Sequence, residues 1–469
     1  MSFSKIKLDN LEDYKKLDDF VNSVEISYDN IDLKYLLRNH LVALLRTREK
    51  IGNSEIGLNK VILKRFFKAF FFNLKFWKLK RNYWVFSNAE RRKLLGSDNL
   101  DRVASIVSEN NSSESIFIEN PVLISHKSSE RDVIISEAVF FIFSYIFGKL
   151  FFKSKKIKLD EDVIKFSQIN NINLSIYPII KRFVGQYKFM KFLLFLGFRP
   201  QVVFLVYPNG YYGYTYAFKE RNVPLIELQH GVIYPLHYAY NCSKDINSNN
   251  FKPNYIFVYG LNDKECLQKL EYLNNNNIAV VGSYALWKQF NNKTPVSDYL
   301  TDLVNNRRTL LITATTNDLT ELYEFFRNYI GNYDDLNVLI LPRHRAVDFE
   351  DLTNLKVLDT EKTNVFECYQ IADFHLTINS TCAFEALFFN IPTFVLDLGK
   401  GNIFRSSYNN FKSVNHVNSI DQLHFLIESN KFITPDSSEI EKYYSKNVLN
   451  NFKVELGKVL SLYAQDIKK

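Results

Sequence analysis

Hydrophobic and polar positions along this chain alternate between short apolar runs and longer amphipathic or polar segments. Residues 83–87 (Tyr-Trp-Val-Phe-Ser) and 115–119 (Ser-Ile-Phe-Ile-Glu) predict two strands, with a loop and helix between them carrying Arg91, Arg92, Asp101 and Arg102. An aromatic, helix-like region runs to about residue 195. After it come a strand at 202–207, a helix at 212–221 and a strand at 224–229. A second alternating block opens at 309–313 and runs to about residue 430. Strands that alternate with helices predict parallel sheets covered on both faces, so the fold class is α/β. The pattern divides the chain into a mainly helical N-terminal segment (1–82), a first α/β domain (83–290), a second (291–440) and a C-terminal helix (441–469). The polar stretch 287–306 is expected to be an irregular crossing between the two domains.

The segment 373–397 is the most informative. It predicts a buried strand, a polar turn, a short helix and a second strand from Thr393. Ser380 or Thr381 falls at the N-cap, where free backbone N–H groups and the helix dipole attract phosphate. Glu385 lies about one turn inside that helix, on a face that can look back to the turn. The plainer alternative is a βαβ unit whose serine only caps its helix.

Composition adds limits. A chain of 469 residues implies two or three domains. Cys242, Cys266, Cys368 and Cys382 are widely spaced with no CxxC pair, which argues against a zinc site or disulfide framework. The first thirty residues are polar and charged, unlike a secretory signal, and the longest apolar run, 138–147, is too short to span a bilayer. The net charge of +8 is unevenly spread. Residues 59–81 hold a run of Lys and Arg with no acid. On a helix, Phe66, Phe67, Phe70, Phe71 and Trp77 share one half of the wheel, and Lys64, Arg65, Lys68 and Lys75 the other. That is the pattern of a helix lying in an anionic membrane interface, although Phe72 and Phe76 fall among the cations. The alternative is an aromatic face packed on the protein body. Residues 139–158, aromatic with five lysines, extend the same character. No nucleic-acid module is present, and no nucleic-acid partner is expected.

Four segments then occur in a telling order. They are 224–232, ending in Gln229-His230-Gly231; 253–260 with 278–283; 338–345, closing on Arg343 and His344; and 373–397. Together they resemble the GT-B superfamily of nucleotide-sugar glycosyltransferases. The nearest likeness is to bacterial surface-polysaccharide transferases. These are the sialyl- and Kdo-transferases with a His-Pro and a Ser/Thr motif, and the teichoic-acid polymerases with a His-Gly motif. The resemblance covers roughly residues 200–400, and Arg345 stands where the sialyltransferase-like motif has Pro.

The resemblance implies two Rossmann-like domains facing across a cleft, behind a helical N-terminal extension, with the C-terminal helix packed back on the first domain. It implies a metal-independent glycosyltransferase needing no cofactor. The donor is a nucleotide sugar, with a CMP-linked sugar such as Kdo or sialic acid favoured over a nucleoside diphosphate sugar. The acceptor is a growing, lipid-linked capsule or lipopolysaccharide glycan, met at the cytoplasmic face of the inner membrane. His230, at the carboxyl end of a buried strand, is the expected base. Glu227 would orient it or replace it, and Asp101 and Glu119 are weaker candidates. Arg343, His344, Ser380, Thr381 and Thr315, with Thr313 and Thr316, would hold the donor phosphate, and Glu385 the ribose. Lys64, Arg65, Lys68, Phe67 and Phe71 would touch the membrane. Two other readings share the frame: a sugar-nucleotide 2-epimerase, and a non-catalytic subunit of a polysaccharide assembly complex.

Overall fold

Apolar runs become buried strands and amphipathic stretches become their covering helices, in two compact units. A computed structural model describes residues 5–47, 68–72, 76–95, 98–109, 111–121, 125–246, 249–292, 295–304, 307–314, 319–327, 336–343, 354–378, 380–397 and 411–466. The first unit comprises Met1–Val258, Asp263–Tyr284 and Asn447–Lys469, and the second Tyr259–Asn262 and Ala285–Lys446.

In the first unit, helices Leu11–Ser23 and Lys34–Thr47 flank β1 (Ile26–Tyr28) and β2 (Ile31–Asp32). Then come β3 (Tyr83–Asn88), β4 (Arg92–Leu95), β5 (Asp98–Asp101), β6 (Ser115–Asn120) and β7 (Ile134–Ser136). They are followed by β8 (Ile157–Leu159), β9 (Val202–Leu205), β10 (Leu225–Leu228), β11 (Tyr255–Val258) and β12 (Ile278–Val280). The main sheet has the order β12-β11-β10-β9-β3-β6-β7, every neighbour parallel. β3 starts at the centre, the chain builds outward to β7, then returns to lay β9 to β12 on the other side. That is Rossmann order with one added strand, and it puts the topological switch point between β3 and β9.

Residues 92–101 form an antiparallel hairpin, β4 with β5, where a loop and helix were expected. Buried charge explains it. The Arg92 guanidinium is fully buried and meets Glu119 at 2.6 Å and Asp132 at 2.8 Å, so the strand that carries it is pinned beside β6. The N-terminal segment is part of this unit and not a separate layer ending at residue 82. β1 pairs antiparallel with β8, Phe20 stacks on Phe166 at 4.0 Å, and Leu17, Val21, Leu37 and Leu41 are fully buried. Of the basic stretch 59–81, Lys64, Arg65 and Phe67 lie outside the described residues. Residues 68–70 form a helical turn, Lys68 and Phe71 are exposed, and Phe72 stacks on His126 at 4.5 Å.

Helix Ile176–Phe195 is the central strut of this unit. A Cβ on Gly185 would come within 2.1 Å of the Ser144 carbonyl oxygen on helix Glu137–Phe151. A Cβ on Gly213, in helix Tyr212–Glu220, would come within 2.4 Å of the Phe183 carbonyl oxygen. Both crossings therefore need glycine. Helix Val448–Asp466 belongs to the first unit, with Phe452 against the rings of Phe204 (5.9 Å) and Phe257 (5.8 Å).

The second unit holds β13 (Arg308–Ala314), β14 (Leu336–Pro342), β15 (Leu355–Val357), β16 (Phe374–Thr377), β17 (Thr393–Leu396) and β18 (Val414–Val417). Their order is β15-β14-β13-β16-β17-β18, all parallel. This is the six-stranded Rossmann order, with its switch point between β13 and β16. The stretch 287–306 is not irregular. It forms helices Tyr284–Asn291 and Asp298–Val304, anchored by the buried Tyr284, Ala285 and Leu286 in the first and Leu300 in the second. Two Rossmann-like units in one α/β chain are the composition that the GT-B resemblance implied.

Removing one member of a buried charge cluster strands the others. Arg92→Met should lower unfolding stability by about 3–5 kcal/mol, and Gly213→Ala by about 1–3 kcal/mol through overpacking. Chemical denaturation of the purified variants measures both.

Candidate functional site

Open α/β sheets bind ligands beyond the carboxyl ends of their strands, at the switch point. In the first unit His230 follows β10, the strand next to β9 and one step from the switch point. The Gln229 backbone N–H donates to the Phe257 carbonyl (3.0 Å), and the Gln229 side-chain amide donates to the Gly231 carbonyl (2.8 Å), which shapes the turn. Gly231 has no positive φ and a Cβ there would meet nothing, so the turn does not require glycine. The His230 ring lies edge-on to Tyr207 at 5.6 Å, just past β9. Its Nδ1 is buried with no hydrogen-bond partner among the described residues. Burial, then the positive fields of Arg91, His237 and Arg102, push its pKa down to about 3. His237, also buried, is held down to about 4. The ring is therefore neutral at ordinary pH, its Nδ1 buried and unpartnered while the ring also bonds the Val206 backbone.

Tyr207 also lines a cavity of ≈ 310 Å³ whose walls include Asn39, His40, Arg182, Gln186 and Tyr238. The Tyr207 and Tyr238 hydroxyls are 2.8 Å apart. The N-terminal helices build one wall and lock the loop that bears His237 and Tyr238. Arg38, fully buried, donates to Asp18 (2.9 Å) and to the Tyr238 carbonyl (2.5 Å), and Asp18 accepts from the Ser243 backbone N–H (2.7 Å). Arg46 lies over the Tyr238 ring at 5.0 Å and donates to the Leu236 carbonyl at 3.1 Å. Amides, phenols and one guanidinium around an apolar floor suit a polyhydroxylated ligand carrying an acidic group.

Glu227 is not placed to orient His230. Its two carboxylate oxygens accept from the Tyr240 (2.8 Å) and Tyr272 (3.1 Å) hydroxyls in an apolar cluster, and burial raises its pKa to about 7. Asp101 and Glu119 are likewise fully buried and committed. Asp101 accepts from Ser87 and from the backbone N–H groups of Val103 and Ala104 (2.8 Å each), and Glu119 pairs with Arg92. These acids hold the strand ends in place.

In the second unit Arg343 directly follows β14, its backbone N–H donating to the Ala314 carbonyl (2.9 Å), and its side chain is exposed. Ser380 follows β16. Ala314 ends β13, level with Pro342 on one side, and Thr313 pairs with Thr377 on the other. Arg343 and Ser380 thus follow the two strands that flank β13. The Ser380 hydroxyl accepts from the Cys382 backbone N–H (3.2 Å). Thr381, at the N-cap of helix Cys382–Phe388, has helical φ and ψ and makes no side-chain cap bond. Glu385 sits half-buried in that helix, where its charge helps to raise the pKa of Tyr369. Thr313 is taken by the core, 2.9 Å from the buried His375 Nε2. His344, Thr315 and Thr316 lie outside the described residues.

Sequence reasoning picked out His230 but missed Tyr207, Arg182 and the bracing role of residues 11–47. Arg91 and Arg102 stood out as cations after the first strand. Their action on His230 became visible only with the hairpin. Among the described residues no group of three His, Cys, Asp or Glu could hold a metal ion.

The raised Glu227 pKa has a sign. The folded state holds this proton more tightly than the unfolded chain, where the ordinary value is 4.5. Stability from this group is therefore present below 4.5 and lost as pH rises to about 7. Glu227→Gln should flatten that decline and raise the melting temperature at pH above 7, which thermal unfolding across pH checks.

No family model matches this chain, and no curated protein matches it. Solved structures do. It is similar to the UDP-GlcNAc 2-epimerase of Neisseria meningitidis bound to UDP-GlcNAc, at 12% identity over 80% of this chain and 99% of that one, with a TM-score of 0.49. It is similar to the UDP-GlcNAc 2-epimerase of Methanocaldococcus jannaschii, at 11% identity over 80% and 99%, with a TM-score of 0.48. It is also similar to the wall teichoic acid polymerase TagF, at 12% identity over 92% of this chain and 98% of that one, with a TM-score of 0.44.

Proposed function

We propose that this chain is a glycosyltransferase that moves a sugar from a nucleotide-sugar donor to a growing bacterial surface glycan carried on lipid. The observation that carries the reading is His230. It is a neutral imidazole with an unpartnered buried nitrogen, at the carboxyl end of β10 in a Rossmann-ordered sheet, one strand from the switch point, and beside Tyr207, which lines a cavity whose chemistry suits a saccharide. His230 takes the proton from the acceptor hydroxyl. The acceptor oxygen bonds to the anomeric carbon, and the bond from that carbon to the phosphate oxygen breaks, the phosphate keeping the electron pair. In the second unit the Ser380–Thr381 turn, with Arg343 and His344, takes up the phosphate charge, and Glu385 accepts from the ribose hydroxyls. The motif resemblance favours a CMP-linked sugar such as Kdo or sialic acid. On this reading transfer takes place at the cytoplasmic face of the inner membrane, where lipid-linked acceptors are met.

A low pKa makes His230 ready but weak. An anionic substrate group near Arg91 and Arg102 offsets their field and strengthens the base in the complex. The acid limb of kcat should therefore lie at higher pH than that of kcat/KM, which reports the free enzyme.

Thermal-shift measurements with CMP, CDP, UDP and GDP test the donor. A true ligand at 100 times its Kd adds roughly 2.7 kcal/mol of stability. Arg343→Ala and Ser380→Ala should reduce that shift. With the donor in hand, His230→Ala should lower turnover by about 10² to 10⁴ while leaving nucleotide affinity nearly unchanged. Near wild-type turnover in that variant would defeat the assignment. Inversion at C2 of the N-acetylglucosamine unit, supplied as UDP-N-acetylglucosamine without any acceptor, would favour the epimerase reading instead.

A further inference from the structure

Helices Glu137–Phe151 and Ile176–Phe195 cross at Gly148 and Gly185 and turn an apolar face outward. Tyr145 (54%), Leu150 (67%) and Phe195 (79%) are exposed, as are Phe141, Ile146 and Phe192. Ring contacts make the surface continuous across the crossing: Phe143 stacks on Phe189 at 5.5 Å, and Phe147 meets Phe192 at 5.6 Å. A contiguous apolar face of this kind marks an interaction site.

Charge says what covers it. The one acid of the first helix, Glu137, is buried, and from residue 163 to 219 the chain contains no Asp or Glu. Lys156, Lys158 and Lys191 pair with Asp29, Glu25 and Glu220. Lys149, Lys153, Lys155, Lys181 and Lys188 make no close ion pair with a carboxylate among the described residues, although Lys153 and Lys188 act on Asp29 from a distance. A second copy on a two-fold axis would set these lysines against each other. An anionic surface with an apolar interior answers both the cations and the aromatics. No helix among the described residues is long and apolar enough to cross a membrane.

We propose that this two-helix face docks the protein on the headgroup–acyl boundary of an anionic phospholipid bilayer. The aromatic and aliphatic side chains enter the boundary, and the lysines stay at the headgroups. The proposal stands apart from the transfer reading, because binding is read without turnover.

The test uses the full chain with sedimenting vesicles, either phosphatidylcholine alone or phosphatidylcholine with a minority of phosphatidylglycerol. The expected result is binding to the anionic vesicles that weakens with salt. The triple variants Tyr145→Gln/Leu150→Gln/Phe195→Gln and Lys149→Glu/Lys153→Glu/Lys155→Glu should each lower the partition coefficient by about tenfold or more, a loss of about 1.4 kcal/mol. All six positions are exposed, so unfolding curves should match the parent. Three results would overturn the proposal. One is no binding to either vesicle. Another is unchanged binding in both variants while Gln at Lys64, Arg65, Lys68 and Lys75 abolishes it. The last is a dimer in solution that the apolar variant alone converts to monomer.

Discussion

One helix, Ile176–Phe195, is needed on several sides at once, and glycine makes this workable. Its backbone must approach helix Glu137–Phe151 at Gly185 and helix Tyr212–Glu220 at Gly213 more closely than any Cβ allows. Those contacts fix its rotation about its own axis. With that rotation set, Phe189, Met190 and Leu194 meet the sheet core, Arg182 and Gln186 reach the cavity beside Tyr207, and Phe192 and Phe195 are left outside. Cores are close-packed, so a change at either glycine moves all three faces together.

The parts of the fold that could be read from sequence are those set by local pattern. Strands β3, β6, β9, β10, β13, β16 and β17 fall where buried apolar runs predicted them, within a residue or two, because a strand buried on both faces leaves a continuous hydrophobic signature. Long-range pairing leaves no such trace. Arg92 looked like an ordinary loop cation, yet its partners lie 27 and 40 residues away, and they turn its neighbourhood into a hairpin. Residues 26–28 showed no trustworthy alternation. They become a strand because Ile157–Leu159 pairs with them.

The candidate site divides along the same line. His230 could be picked out as a candidate because it follows a buried strand at its carboxyl end, where open α/β sheets place ligands. Glu227, two residues earlier, has the same apparent credentials but points into the cluster of Tyr240 and Tyr272, and no periodicity rule could separate the two. Asn39 and His40 could not be found from sequence either. They come from the N-terminal segment, and only the Arg38–Asp18 pair, tied to the backbone at Tyr238 and Ser243, brings them to the cavity wall.

The buried charge cluster ties the scaffold to the chemistry. Arg92 is desolvated, and its attraction to Glu119 and Asp132 offsets that cost only while all three stay in register. Its neighbour Arg91 is held in the same register, and the Arg102 backbone N–H donates to the Arg91 carbonyl at 3.2 Å. Both cations whose fields bear on His230 thus sit on one hairpin base that the cluster anchors. A surface pair of arginines would be screened and mobile, with little hold on a distant imidazole. Anchored and partly buried, they keep the imidazole unprotonated and leave positive potential beside it.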